Sequence, residues 1–163
     1  MNVRPPLALV FTTVATALAL LGCGDTRRAP SGLDVDPWLP KTEEELDARI
    51  LEARAQARES DRQVLLDFIA DWCEDCREVV RLSKRHPARG VIEEKYVVVY
   101  VEVGRFDRHR HLIERYAIDR IATLVVLDPE SGERVAQTTL EPITGGQRGL
   151  TSAQLAAWLR DPS

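Results

Sequence analysis

The chain has no excess of positive charge, no apolar run long enough to cross a bilayer comfortably, no repeat and few cysteines. Each lack removes something. With 22 Lys and Arg against 26 Asp and Glu, the formal net charge is −4, so there is no basic face of the kind a nucleic acid requires, and no nucleic-acid partner is expected. No internal repeat or low-complexity tract follows the first 22 residues, and 163 residues leave room for one ordinary domain. Gly145-Gly146 is followed by no Lys-Ser/Thr, which makes it a flexible connection and not a phosphate loop. No Ser, His and Asp fall into a distinctive catalytic set. Histidine is scarce: His109 and His111 stand in Arg-His-Arg-His without further ligands at zinc spacing. They read as a charged, solvated helix start, and no metal is assigned to them. His86, before Pro87, reads as a helix-end imidazole suited to the dipole.

What is present begins at the N-terminus. Leu7–Leu21 is a 15-residue apolar run broken only by Thr12, Thr13 and Thr16. It is short for a membrane span and fits the apolar core of a secretory signal. It ends in Leu20-Leu21-Gly22-Cys23, which resembles the lipobox of bacterial lipoproteins. That resemblance implies a signal peptide over 1–22 and a Cys23 that becomes the lipid-bearing N-terminus. It also implies a periplasmic protein held to a membrane, with the outer membrane favoured because Gly24, and not Asp, follows. The alternatives are an uncleaved anchor or an ordinary signal with a chance cysteine. Residues 23–40, with Pro30, Gly32, Pro37 and Pro40, read as a tether. Trp38 and Leu39 are expected to dock at the domain edge.

The remaining chain, 41–163, carries alternating patterns. Thr42 with Glu45 makes a capping box for a helix to about Glu59, whose apolar stripe is Leu46, Ile50, Ala53 and Ala57. Strands are expected at Gln63–Ala70, Tyr96–Val103, Leu124–Leu127 and Glu133–Thr138, and helices at Cys73–Arg85, Arg108–Tyr116 and Thr151–Arg160. The first two strands are apolar on both faces, as in a sheet covered on each side. The last two flank the turn Asp128–Gly132 as a hairpin. The expected class is α/β, a central mixed sheet flanked by helices on both faces, in the order αβαβαββα.

Two cysteines remain once Cys23 is set aside, and Cys73 and Cys76 close a loop too small to staple a fold. The pair therefore looks chemical, not structural. Leu66-Asp67-Phe68-Ile69-Ala70-Asp71-Trp72-Cys73-Glu74-Asp75-Cys76 resembles the thioredoxin signature, with C-x-x-C at a strand-to-helix junction. Over roughly 60–140 the chain is similar to the thioredoxin-like family, most of all to reductase domains of periplasmic thiol:disulfide interchange proteins. The resemblance implies Cys73 as nucleophile, Cys76 as resolving thiol and Asp67 as a buried proton acceptor. Trp72 and the loop Ile121-Ala122-Thr123 would meet the substrate. Protein disulfides would be the substrates, with a membrane-held electron donor and no cofactor beyond the pair's own disulfide. Glu74 and Asp75 should disfavour the thiolate, which points to a reducing pair, nearer roughly −270 mV than −120 mV.

Two departures stand out. Tyr100 takes a place where family members often carry lysine near the buried acid. Ala122 takes the place of the family's cis-proline, and a trans peptide is expected there because a non-proline cis bond costs about 2.5–4 kcal/mol. The proline's absence keeps open a metal-binding or metal-chaperone role for Cys73 and Cys76, or a redox-inert binding module.

Overall fold

The computed structural model describes residue 1 and residues 29–162; the expected signal segment, Met1 apart, and Cys23 lie outside the described residues. In chain order the elements are α1 (Glu43–Glu59), β1 (Gln63–Ile69), α2 (Glu74–Ser83), α3 (Ala88–Lys95), β2 (Tyr96–Glu102), α4 (Arg110–Arg115), β3 (Thr123–Leu127), β4 (Arg134–Thr139) and α5 (Ser152–Arg160). The sheet runs β2-β1-β3-β4. β1 and β2 are parallel, and β3 is antiparallel to both β1 and β4.

Burial explains the strand sequences. Every residue of β2 and β3, and all of β1 after Gln63, is buried, so these runs need apolar side chains on both faces. α1 packs on β1 and β2, whereas α2, α3 and α5 pack against one another and α3 lies on β2. The two helix groups share little packing, as layers on opposite faces of a sheet should. α1 begins with the expected capping box: the Thr42 hydroxyl accepts from Glu45 N–H, and Thr42 N–H donates to the Glu45 carboxylate.

Three expectations need correcting. The stretch after Pro87 forms a separate helix, α3, so the order is αβααβαββα. This helix has eight residues, too few for an apolar period to register, and its place is set by distant contacts. Ser152 at the start of α5 accepts from Ala88 N–H at 3.0 Å and donates to Arg85 O at 2.8 Å. Second, His109 is not solvated. It is 2% exposed in a left-handed conformation (φ 53°), and its Nδ1 has no hydrogen-bond partner. Burial pushes its imidazole below the usual range, with the Glu43 carboxylate pulling the other way. His111 behaves as expected, half-exposed and paired with Asp47 at 2.9 Å. Third, the segment read as a tether is docked from Ala29 onward. Ser31 O accepts from Val98 N–H at 2.6 Å, closing part of the free edge of β2. Gly32 (φ +81°) lies so close to the Val98 carbonyl that a side chain would collide with it. Leu33 is buried and its carbonyl accepts from the Tyr100 hydroxyl at 3.1 Å. Trp38 packs on the core, but Leu39 stays 58% exposed, because only the indole reaches the domain.

Candidate functional site

β1 ends at Ile69, and Ala70, Asp71 and Trp72 turn the chain into α2. Cys73 is the N-cap of that helix. Its φ/ψ of −84°/114° is extended, and its Sγ accepts from Cys76 N–H at 3.1 Å, the place a Ser or Thr oxygen usually takes. Cys73 and Cys76 are joined as a disulfide, with Cα atoms 5.2 Å apart. Cys73 is 6% exposed and Cys76 fully buried, so both are covered in the oxidised pair and Cys73 is the more accessible of the two. Unsatisfied N–H groups and the positive end of the helix favour a thiolate at that position once the bond is reduced.

Sheet register brings the second half of the site alongside. Thr123 pairs with Phe68 at the C-terminal end of β1, which places the preceding loop at the same end of the sheet as Cys73. The Ile121–Ala122 peptide is cis, which corrects the expectation of a trans bond. Contacts on each side hold it. Ala122 O accepts from Leu140 N–H at 2.8 Å, and the Thr123 hydroxyl donates to Arg120 O at 2.8 Å and meets the Thr139 hydroxyl at 2.7 Å. Ile121, Ala122 and Thr123 are all buried in this oxidised state.

Trp72 is 46% exposed, and its indole N–H donates to Gly104 O at 2.8 Å. That carbonyl is held in turn: Gly104 N–H donates to Glu102 at 3.0 Å, and Glu102 pairs with Arg108. None of this support was legible in the sequence, because Gly104 lies 32 positions from Trp72.

Asp67 sits inside β1, 2% exposed, between Tyr100 on β2 and Leu124 on β3. Tyr100 therefore stands opposite the acid, as expected. One carboxylate oxygen, Oδ1, has no hydrogen-bond partner. Burial raises this carboxyl to about 7.

Asp75 was expected to act only as charge near Cys73. Instead it is a buried clamp. It accepts from Ile143 N–H at 2.6 Å, Thr144 N–H at 3.1 Å and the Thr144 hydroxyl. Burial pushes its carboxyl up, but the Thr144 and Ile143 hydrogen bonds together outweigh that and hold it below the usual range. The carboxylate between the cysteines is thus ionised, with its charge spread into a neighbouring loop. Among the described residues, no cluster of three or more His, Cys, Asp or Glu has metal-binding geometry. The Cys23 site falls outside the described residues.

Comparisons with known proteins agree with this geometry. A family model described as thioredoxin-like matches residues 46–129. No curated protein matches. Among solved structures, a disulphide isomerase from Xylella fastidiosa Temecula1 is 25% identical, with a TM-score of 0.63 over 75% of this chain and 95% of its own. A thioredoxin from Thermus thermophilus is 26% identical, with a TM-score of 0.52 over 67% of this chain and 79% of its own. The C-terminal domain of Neisseria meningitidis DsbD, at 19% identity and a TM-score of 0.55 over 74% of this chain and 96% of its own, shares the fold.

Proposed function

Since the chain belongs to the thioredoxin-like family of thiol:disulfide oxidoreductases, we propose that it reduces protein disulfides in the periplasm, held to a membrane by lipid on Cys23. The observation that carries the chemistry is the Cys73–Cys76 disulfide at the mouth of α2, with Cys73 at 6% exposure and Cys76 fully buried.

In the reduced protein the Cys73 thiolate attacks one sulfur of a client disulfide. The client S–S bond breaks, its other sulfur leaves as a thiolate, and a mixed disulfide forms on Cys73. Asp67 takes the proton from Cys76, for which its partnerless oxygen and a carboxyl raised to about 7 are suited. The Cys76 thiolate then attacks the Cys73 sulfur. The client's second sulfur departs, and the Cys73–Cys76 disulfide closes. Two electrons have passed from this chain to the client. A membrane-held dithiol donor must return them, since the periplasm is oxidising. Trp72 stands exposed beside the pair, and the Ile121–Thr123 loop, buried in the oxidised state, lies at the same end of the sheet. The reducing direction rests on Glu74 and Asp75, whose negative charge disfavours a thiolate on Cys73.

The test uses the detergent-solubilised full chain with insulin as disulfide substrate, measuring bound metal in parallel. Wild type should turn over, Cys73→Ser should fall to background, and Cys76→Ser should accumulate covalent client adducts. Undiminished reduction by Cys73→Ser, or stoichiometric metal without turnover, would end this reading. For the anchor, Cys23→Ser should move the protein from the membrane pellet to the soluble fraction; an unchanged distribution would count against lipidation there.

A further inference from the structure

The arm formed by residues 29–38 precedes the stretch that the family model matches, 46–129, yet it is stitched to α1, β2 and α3. Arg62, 4% exposed, donates to Ala29 O at 3.0 Å, and the Gln56 side-chain amide on α1 donates to Pro30 O. On β2, Val98 N–H donates to Ser31 O at 2.6 Å. Arg89 on α3 holds Asp34 through both guanidinium nitrogens, at 2.9 and 3.3 Å. Between these stitches Leu33 is 1% exposed, and its carbonyl accepts from the Tyr100 hydroxyl at 3.1 Å.

That last bond reaches the redox chemistry through the sheet. Tyr100 is the cross-strand partner of Asp67, and partners in register on parallel strands share a face. A phenol has one proton to give, and Tyr100 gives it to Leu33 O. Asp67 Oδ1 is left without a partner. Burial above all, then the Asp67 and Asp34 carboxylates, push the Tyr100 phenol far up, so it stays a donor. A donor therefore stands beside the acid and is turned elsewhere by the arm. The other surroundings of Asp67 add no competing charge. β3 contributes Leu124, and Asp34 is exposed and paired with Arg89. Cys76 on α2 is the thiol that Asp67 serves. With Leu33 drawn away, the Tyr100 hydroxyl would be a buried donor lacking an acceptor, with a partnerless carboxylate oxygen on its own face of the sheet. A hydrogen bond to an ionised carboxyl lowers its hold on a proton.

We propose that the N-terminal arm is a working part of the exchange site: the Leu33 carbonyl captures the Tyr100 hydroxyl and so leaves Asp67 a bare proton acceptor for Cys76. This rests on the exchange function above. Leu33 and Tyr100 are positioning residues here, and both act through Asp67.

The experiment follows the Asp67 carboxyl carbon by NMR through a pH titration of the oxidised full chain in detergent. Wild type should titrate at about 7. Gly32→Val unseats the arm, because a Cβ there falls 2.5 Å from Val98 O at a φ of +81°. It should lower the midpoint by about one pH unit as the freed hydroxyl turns to Asp67. Adding Tyr100→Phe to that variant should return the midpoint to the wild-type value, which a mere opening of the core to water would not do. Gly32→Ala, with the same clash and less bulk, replaces Gly32→Val if the latter does not fold. The pH midpoint for resolution of a mixed disulfide, read as loss of the covalent adduct, should move with the carboxyl. An equal midpoint in wild type and the Gly32 variant overturns the proposal, and so does a lowered midpoint that Tyr100→Phe leaves in place. The titration needs no turnover, so insulin reduction run in parallel separates the two readings. If insulin is reduced and the midpoint ignores the arm, the role of the arm fails alone. If no disulfide is reduced, the exchange function fails and takes this proposal with it.

Discussion

Two aspartates eight positions apart in the chain are almost equally hidden, at 2% exposure for Asp67 and 4% for Asp75, yet they are opposite in character. Asp67 lies in a strand whose own backbone groups are spent on the sheet, with a tyrosine and a leucine as cross-strand neighbours and an oxygen that bonds to nothing. Its proton stays on to about 7. Asp75 lies in the first turn of a helix and is met by a loop that supplies two amides and a hydroxyl, which keep it charged. Depth of burial alone therefore does not set the state of an acid; the supply of donors does. The difference divides the labour. A carboxyl that holds its proton loosely near neutral pH can exchange it with a thiol, and one kept charged by its donors can serve as a fixed anchor.

The comparison can be broken at either end. The largest effect is expected at Asp67. Its folded value is raised above the unfolded 3.8, so the native state keeps a proton that the unfolded chain releases. Wild-type stability should fall as pH rises from about 4 to about 7 and then level off. Asp67→Asn removes that slope, and its advantage over wild type should grow across the same window to on the order of 4 kcal/mol, while resolution of the mixed disulfide slows. Guanidinium unfolding of the oxidised protein at several pH values measures this; parallel curves for the two proteins would remove Asp67 as the outlier. A smaller effect of opposite sign is expected at Asp75. Asp75→Asn should cost about 1.5–3 kcal/mol at neutral pH, the range for hydrogen bonds to a charged group. Because the folded carboxyl is held low, that contribution is present above the unfolded value and is lost as pH falls through the folded one. The variant and wild type should converge in acid, below the window in which Asp67 acts; a gap that persists there would mean the loop is held by something other than the charge.

Much of the architecture could be read from the chain because its causes are local. The capping box at Thr42, the doubly apolar run at Val64–Ile69 and the motif from Leu66 to Cys76 each carry their signal within a dozen residues. What escaped has distant causes. α3 depends on Ser152 bonding to Ala88, 64 positions earlier, and the Asp75 clamp depends on a partner 68 positions later. His109 misled because four polar residues in a row look like a solvated face. Left-handed Phe106 and His109, with Gly104, instead turn the chain so that the imidazole lies inside. At Ala122 the rule that cis bonds belong to proline is sound on average, and this chain is an exception to it.

The docking of Ala29 against Arg62, at 3.0 Å, has a consequence for reach. If Cys23 bears lipid, only the six residue steps from 23 to 29 separate the acyl group from a folded body, and fully extended they span at most about 20 Å. A free leash through residue 40 would have stretched to roughly 60 Å. The dithiol would then patrol a shallow shell against the bilayer, meeting clients and donors that live at the membrane face far more often than those adrift in the middle of the compartment.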